Sequence, residues 1–438
     1  RYPLLKSFVY SEELKGQPSE KPPSIDTMRK LELIDYEPAS EPGMFRFYPN
    51  GALIKDLLED FAYDVIVKGF QAMKIDTPII YNFDEPDIKA QALAFRERDY
   101  RIETPKKTLI LRFAGDFGLF RMMKDTIFSY RHLPLRIYEI SPSFRKERRS
   151  ELVGLRRCSF FHMPDLHSFC KDMNQAKKEF EIIFKKYTEI LNAMNIDFAL
   201  CFRIVESYYK ELKPMLIRLL KHANKPALIE LLGEAKHYWV CKSEHQAIDS
   251  VGGNAQLSTV QLDVEDSERY GILYVDKDGK KKGCIIVHTS LGSIERLIYA
   301  ILETALKVKK NPTLPLWLSP TQVRIIPLSE KYVNESIELM KRLEAEKIRV
   351  DVDDRPESVP RKIRDAELDW VPFSIVFGPK EMESGKLRVR IRRTGKVVTM
   401  KLDELVKMIK KETEGMPFRP LSVPKLLSKR PTFVAWTS

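Results

Sequence analysis

The chain has 438 residues, 43% hydrophobic and 31% charged, with a formal net charge of +12 and a pI near 9.2. That length suits roughly two or three domains with sizeable cores. No run of about eighteen apolar residues and no leader-like start are present, which argues against a membrane span and makes the cytoplasm the expected location. Cys158, Cys170, Cys201, Cys241 and Cys284 form no Cys-x-x-Cys pair, so neither a disulfide framework nor a thiolate zinc knuckle is expected. The basic excess points to a polyanionic partner, and residues 321–438 hold more than half of it, with 25 Lys and Arg against 18 Asp and Glu.

Residues 1–25 are polar and carry Pro18, Pro22 and Pro23, so a long helix is disfavoured and an arm or linker is expected. From Leu53 the apolar spacing of Ile54, Leu57, Leu58, Phe61, Ala62 and Val65 predicts an amphipathic helix ending near Gly69. Residues 75–81, with Pro78 among them, read as an edge or bulged strand. Residues 109–120 are an apolar run broken by Gly115 and Gly118, with Asp116 between them. The glycines admit close approach of a ligand, and Asp116 can equally cap a helix. Residues 122–140 read as helix, then Leu133 to Arg136, then a strand.

Residues 144–170 hold the densest chemistry. A short limb at 143–147, a polar loop at 148–154 and a β-rich return at 158–161 predict a hairpin. Its arginines can hold a polyphosphate through forked, charge-assisted bonds, Phe161 can face a flat base, and Glu147 can accept from an exocyclic amine. The competing reading is a solvated basic loop.

Helices are expected at 176–194 and 208–223, and strands at 198–205, 238–242, 258–264 and 284–289. Gly292-Ser293-Ile294-Glu295-Arg296 opens the clearest helix, with an apolar stripe running to Leu306. Ser293 can cap it, and Arg296 in its first turn opposes the helix dipole, a cost that a nearby anion offsets. Pro312, Pro315 and Pro320 mark a linker. Beyond it, segments 323–327, 334–346, 348–352, 360–367, 373–377, 387–391, 397–402 and 405–412 alternate strand and helix, as an α/β layer does. Arg388, Arg390 and Arg392 share one face of their strand, either as a recognition surface or as charge protecting a sheet edge.

Phe144-Arg145-Lys146-Glu147, followed by Arg157 and Phe161, resembles motif 2 of the class II aminoacyl-tRNA synthetases. Residues 292–296 resemble motif 3, and the helix and proline-bearing strand near 53–81 resemble motif 1. With Leu133 to Arg136 before motif 2 and Asp165-Leu166-His167 after it, the run is similar to the threonyl-tRNA synthetases, the archaeal type above all, over about residues 22–414.

The resemblance implies an α+β fold. Residues 1–25 form an arm or linker; 26–315 form the class II catalytic domain, a mostly antiparallel sheet of about six or seven strands flanked by helices, with an insertion at roughly 172–250; 316–414 form an α/β anticodon-binding domain; 415–438 are a basic tail. It implies a homodimeric ligase that uses ATP and Mg2+ to make threonyl-adenylate from threonine and then acylates the 3′ end of tRNA(Thr). By the same resemblance Arg145 meets the α-phosphate and the threonine carboxylate, Glu147 and Phe161 hold adenine, and Arg157 and Arg296 take the γ-phosphate. Gln261 helps hold the nucleotide, Lys242 acts near the reacting carboxyl, and Glu381 and Arg390 contact the anticodon. The family holds Zn2+ with one Cys and two His. Here His167 matches one histidine, Asp116 stands where the cysteine is expected, and His288 matches through a one-residue deletion. Asp165 matches the carboxylate that receives the threonine hydroxyl.

The family usually adds an N-terminal editing domain, for which no room exists before Leu53. If the numbering starts near the natural start, serine errors are expected to be corrected by a separate protein. Two other readings stay open: a class IIa ligase for another amino acid such as proline or serine, and a catalytically silent tRNA-binding paralogue, motivated by the altered ligand set.

Overall fold

The computed structural model describes residues 2–14, 20–94, 98–234, 238–308 and 310–434. Two units form, one from Arg1–Pro22, Glu37–Met44 and Ala62–Ala300, the other from Pro23–Tyr36, Phe45–Phe61 and Ile301–Ser438.

The first unit is built on β1 (Met73–Lys74), β2 (Leu135–Phe144), β3 (Phe160–Cys170), β4 (Phe198–Val205), β5 (Ala227–Leu232), β6 (Trp239–Ile248), β7 (Asn254–Asp263) and β8 (Ile285–Ser290). They make one eight-stranded sheet in the order β5-β4-β6-β7-β8-β3-β2-β1, in which β5 with β4 and β1 with β2 pair in parallel and the others antiparallel. The sheet is therefore wider than the six or seven strands expected. Segment 172–250, read as an insertion, supplies β4, β5 and β6 to it. The sequence hides β5 because this edge strand is only partly buried along its length and shows no alternation.

The predicted hairpin is present and longer than expected: β2 and β3 pair without interruption from Leu135 opposite Phe169 to Phe144 opposite Phe160. Five helices of the unit matter below: α1 (Pro3–Glu12), α2 (Asp116–Asp125), α3 (Met173–Ala193), α4 (Glu206–Ala223) and α5 (Ile294–Leu306). Asp172 caps α3 by accepting from the Gln175 amide at 2.8 Å. The α3 stripe of Ala176, Phe180, Ile183, Phe184, Tyr187 and Leu191 is buried and lies along β3, β7 and β8. Tyr187 meets Thr289 of β8 at 3.0 Å, so α3 covers the Thr289 face and leaves His288 and His167 to the opposite face.

Two expectations for the N-terminal half need correction. Part of the arm is helical, since Pro3 falls in the first turn of α1, where no N–H is required, and Phe8 is wholly buried with Ala199, Cys201 and Ile248. Of the strand read at 75–81 only Ile80 and Tyr81 are in a ladder, as part of Ile80–Asn82 in a separate three-stranded sheet, while β1 ends before it at Lys74. Pro78, with no N–H for a ladder, lies in the gap. The helix read from Leu53 spans Pro49–Tyr63 and continues as a π-helical turn, Asp64–Lys68.

In the second unit β9 (Val323–Pro327), β10 (Val350–Val352), β11 (Phe373–Phe377), β12 (Lys386–Ile391) and β13 (Lys396–Lys401) lie in the order β10-β9-β11-β12-β13. The first three are parallel; β12 and β13 are antiparallel additions. Helices α6 (Val333–Ala345), α7 (Val359–Leu368) and α8 (Leu402–Glu412) pack on this sheet, and Val323, Ile325, Leu339, Leu343, Ile375, Val389 and Leu405 lie in its core. The sequence expectation for this unit holds almost element by element. One detail does not: β12 is interior, so edge protection does not account for its arginines. Arg392 has also left their face, donating to the Pro312 carbonyl at 2.8 Å and to Glu367 at 2.9 Å.

The basic tail lies on this second unit. The Val352 amide donates to the Lys425 carbonyl at 2.9 Å, Val352 bridges Leu426 in parallel, and Arg430 reaches Asp351 at 2.9 Å. Arg419 forks onto Asp60 at 2.6 and 2.9 Å and touches Asp56 at 2.8 Å. Among the described residues, no helix is long and apolar enough to cross a membrane.

Candidate active site

Where β2 ends, the Arg145 amide donates to the Ser159 carbonyl at 2.8 Å and closes the neck of loop 145–159. The Arg145 guanidinium lies 5.2 Å from the centre of the Phe161 ring, and its Nε donates to the Phe113 carbonyl at 3.2 Å. Burial lowers its pKa, while the charges of Glu147, Asp165 and Asp116 pull the other way. One cation thus sits in the field of acids from both ends of the site.

Arg296 enters from α5. Ser293 Oγ accepts from the Arg296 amide at 3.1 Å, the cap that the sequence suggested. The Arg296 side chain donates to the carbonyls of Arg156 (3.1 Å) and Gln256 (3.0 Å). Its pKa is lowered, first by burial and then by the neighbouring cations Arg145 and Arg157. Arg296 from α5 thus faces two guanidinium groups of the 145–159 loop, Arg145 and Arg157, that repel it, a cradle that an anion stabilises. Arg157 is meanwhile forked onto Glu147 at 2.8 and 3.1 Å and touches Glu151 at 3.2 Å, while Arg98 stands 3.5 Å from Glu147.

Strand register builds the other end. Across β6, β7, β8, β3 and β2, the residues Lys242, Gln261, His288, His167 and Ile137 stand opposite one another in sequence. Antiparallel partners share a face, so the four polar ones form a row. Asp116, the first residue of α2, reaches this row: its Oδ1 is 3.0 Å from His167 Nε2 and 3.7 Å from His288 Nδ1. No side chain caps α2, so the capping alternative fails for Asp116.

The donor atoms of Asp116, His167 and His288 lie within 4.8 Å of one another, as close as a metal ion requires. The outer nitrogen of His288, Nε2, is 2.8 Å from Asp263, whose other oxygen accepts from the Glu265 and Asp266 amides. A carboxylate, two imidazoles and an outer carboxylate that fixes one imidazole fit a divalent cation such as zinc. Burial raises the Asp116 carboxyl, but the bonds and charges of the two histidines outweigh it and hold the group far below the ordinary range. Burial also disfavours the His288 cation, yet Asp116 and Asp263 raise its pKa to about 10. His167 is lowered, chiefly by burial. Asp165, opposite Ser290 and Glu139, is pushed well up by burial and by Asp116.

Residues 100–305 match the class II tRNA synthetase core domain (G, H, P, S and T), and residues 322–412 the anticodon binding domain. The threonine–tRNA ligase of Pyrococcus horikoshii is 44% identical over 441 residues, 99% of this chain and 70% of that protein. The enzyme of the same name from Methanosarcina mazei is 43% identical over 447 residues, again 99% and 70%. The chain belongs to the threonine–tRNA ligase family. A crystal structure described as the RNA binding domain of threonyl-tRNA synthetase from Cryptosporidium parvum Iowa II shares the fold, with a TM-score of 0.78 over 90% of this chain and 98% of that one at 24% identity.

The ligase's expected site residues divide between the units. Arg145, Glu147, Arg157, Phe161 and Arg296 gather at the cradle, and Asp116, Asp165, His167 and His288 at the imidazole end. Gln261 accepts from the Tyr238 hydroxyl at 3.0 Å, and that ring lies 5.0 Å from His288, so Gln261 sits at the imidazole end. Lys242 is 2.7 Å from Glu244 and 2.9 Å from Gln256, further along the row. Glu381 and Arg390 lie in the second unit. Glu381 accepts from the Gly378 amide at 3.1 Å and so caps the short helix Pro379–Ser384, and Arg390 stands opposite Ser374 in the sheet. Sequence reasoning missed Asp263 and Tyr238, because only the pairing of β7 with β8 and the bend just before β6 bring them to His288.

Proposed function

We propose that the chain activates threonine with ATP and Mg2+ to threonyl-adenylate and then passes the acyl group to the 3′-terminal ribose of tRNA(Thr). The observation that carries this reading is the meeting of Arg145, Arg157 and Arg296 on one side of Asp165 and on the other the Asp116, His167 and His288 cluster. Arg145, in the field of both Glu147 and Asp165, is the group suited to bridge the α-phosphate and the threonine carboxylate. It draws the two reactants together and offsets the charge that builds on the phosphoryl oxygens; no side-chain nucleophile is required. Arg296 and Arg157 take the terminal phosphates, Arg157 leaving Glu147 as it does so. Glu147 is then free to accept from the adenine amine beside the Phe161 ring.

Specificity is read at the other end. In this reading Asp116, His167 and His288 hold a zinc ion, and what the ion supplies when bound is open coordination positions for the amine and hydroxyl of threonine. Asp165 receives the hydroxyl. Valine would leave these groups unsatisfied, which is how a polar site reaches roughly 10⁴-fold discrimination where an apolar pocket reaches about 10². Gln261 stands at the imidazole end, and Lys242, opposite it in the row, acts near the reacting carboxyl. Glu381 and Arg390 meet the anticodon, and the exposed Met73 on the outermost strand β1, with Ile79 and Ile80 close after it in the chain, supports a homodimer through this part of the first unit.

Pyrophosphate exchange with a panel of amino acids tests the reading. Threonine is expected to stimulate exchange, proline and valine are not, and Arg145→Ala is expected to lose at least about a hundredfold in rate with tRNA binding retained. Exchange driven by proline or serine alone would favour a ligase for another amino acid, and silence with every amino acid would favour a binding paralogue.

A further inference from the structure

The loop that carries Arg157 is held from beneath by a residue far away in the chain. Asp249 follows β6 in a turn, where its Oδ1 accepts from the Val251 and Gly253 amides at 3.2 and 2.6 Å. Its Oδ2 accepts from the Arg156 guanidinium and the Tyr299 hydroxyl, both at 2.8 Å. The Asp249 side chain is wholly buried, so these donors converge on a charge that has no water to turn to. Arg156 passes the constraint on, because its own carbonyl accepts from Arg296 Nε at 3.1 Å. Tyr299 is on α5, one turn beyond Arg296, so the same carboxylate also holds the helix that bears Arg296.

Gly253 supports this independently. A Cβ there would fall 1.5 Å from Arg156 Nη1 and 2.8 Å from Asp249 Oδ2. Gly252 beside it has a φ of +88°, but Gly253 is outside that region and its backbone suits any residue. The missing side chain serves the seat of the Arg156 guanidinium, and the turn does not require it.

We propose that Asp249 is a positioning residue of the nucleotide site: it seats Arg156 so that the Arg156 carbonyl aims the Arg296 guanidinium and fixes the approach of Arg157. This rests on Arg296 as an arginine of the ATP site. Arg156 itself, engaged below the loop, is a strut and touches no phosphate.

Steady-state pyrophosphate exchange on the full chain tests it, with Asp249→Asn, Gly253→Ala, Arg156→Gln, the double variant Asp249→Asn/Arg156→Gln and Arg296→Ala. Each of the first three is expected to raise the KM for ATP about tenfold while the KM for threonine stays within about twofold. The double variant is expected to be no worse than its worse parent, since both changes break one link. Gly253→Ala removes no polar group: its methyl crowds the Arg156 guanidinium and the Asp249 carboxylate, and a retained Tm with a raised KM for ATP is the result that supports positioning over misfolding. Equal rises in both KM values would overturn the proposal. So would a KM for ATP that Arg296→Ala raises but Gly253→Ala and Asp249→Asn leave alone. If Arg296→Ala itself leaves that KM unchanged, the ATP-site reading of Arg296 falls, and the strut falls with it.

Discussion

Asp116 places one negative charge between two imidazoles, and that changes how the cluster trades protons for metal. With His288 raised to about 10 by Asp116 and Asp263, the ring is protonated at neutral pH when no ion competes for it. Metal binding must expel that proton, so affinity is expected to rise about tenfold per pH unit from pH 7 until the pH approaches 10. Titrating zinc into chelator-treated protein at pH 6.5, 7.5 and 8.5 checks this; a flat profile contradicts it. Asp116→Ala is expected to weaken zinc binding at least about tenfold, read by metal content after dialysis. Sequence left Asp116 between a cap and a ligand, because Gly-Asp-Gly before a helix fits both. What decides is the reach of His167 and His288 from two neighbouring strands, at 51 residues and farther along the chain. Asp249 was less legible still, since nothing near it in sequence names a partner 93 residues away.

The seam between α3 and the sheet carries its own titration. His245 is wholly buried in β6, with Nε2 at 2.8 Å from Thr188 of α3 and Nδ1 at 2.9 Å from Ser258 of β7. Burial, with Lys225 adding to it, lowers its pKa to about 3. The folded chain therefore keeps the ring neutral while the unfolded chain protonates it below about 6.5. The stabilisation is present above that value and is lost progressively as pH falls towards 3. His245→Gln is expected to flatten the fall of Tm between pH 6.5 and 4; an acid limb as steep as before would show that other groups set it. At this scale the sequence read best where one period dominates, as in α3, α5 and the alternating second unit. It read worst at β5 and around Pro78, where partial burial and a missing N–H erase the pattern.

Across the whole chain the chemistry is divided: the arginine cradle and the imidazole row belong to the first unit, Glu381 and Arg390 to the second. Arg390→Ala is therefore expected to slow charging of tRNA about tenfold or more while leaving pyrophosphate exchange at its original rate; an unaltered charging rate would remove Arg390 from recognition. The tail has a different kind of importance. β10 is the outermost strand of its sheet, and the run from Lys425 to Arg430 closes that margin, taking up the Val352 amide and meeting Asp351 with a cation. A shortened chain that stopped before Lys425 would bare an unpaired rung and strip one counter-ion from a buried acid, inviting copies to stack through the gap. Deletions meant to trim this segment would thus report on solubility before they reported on RNA.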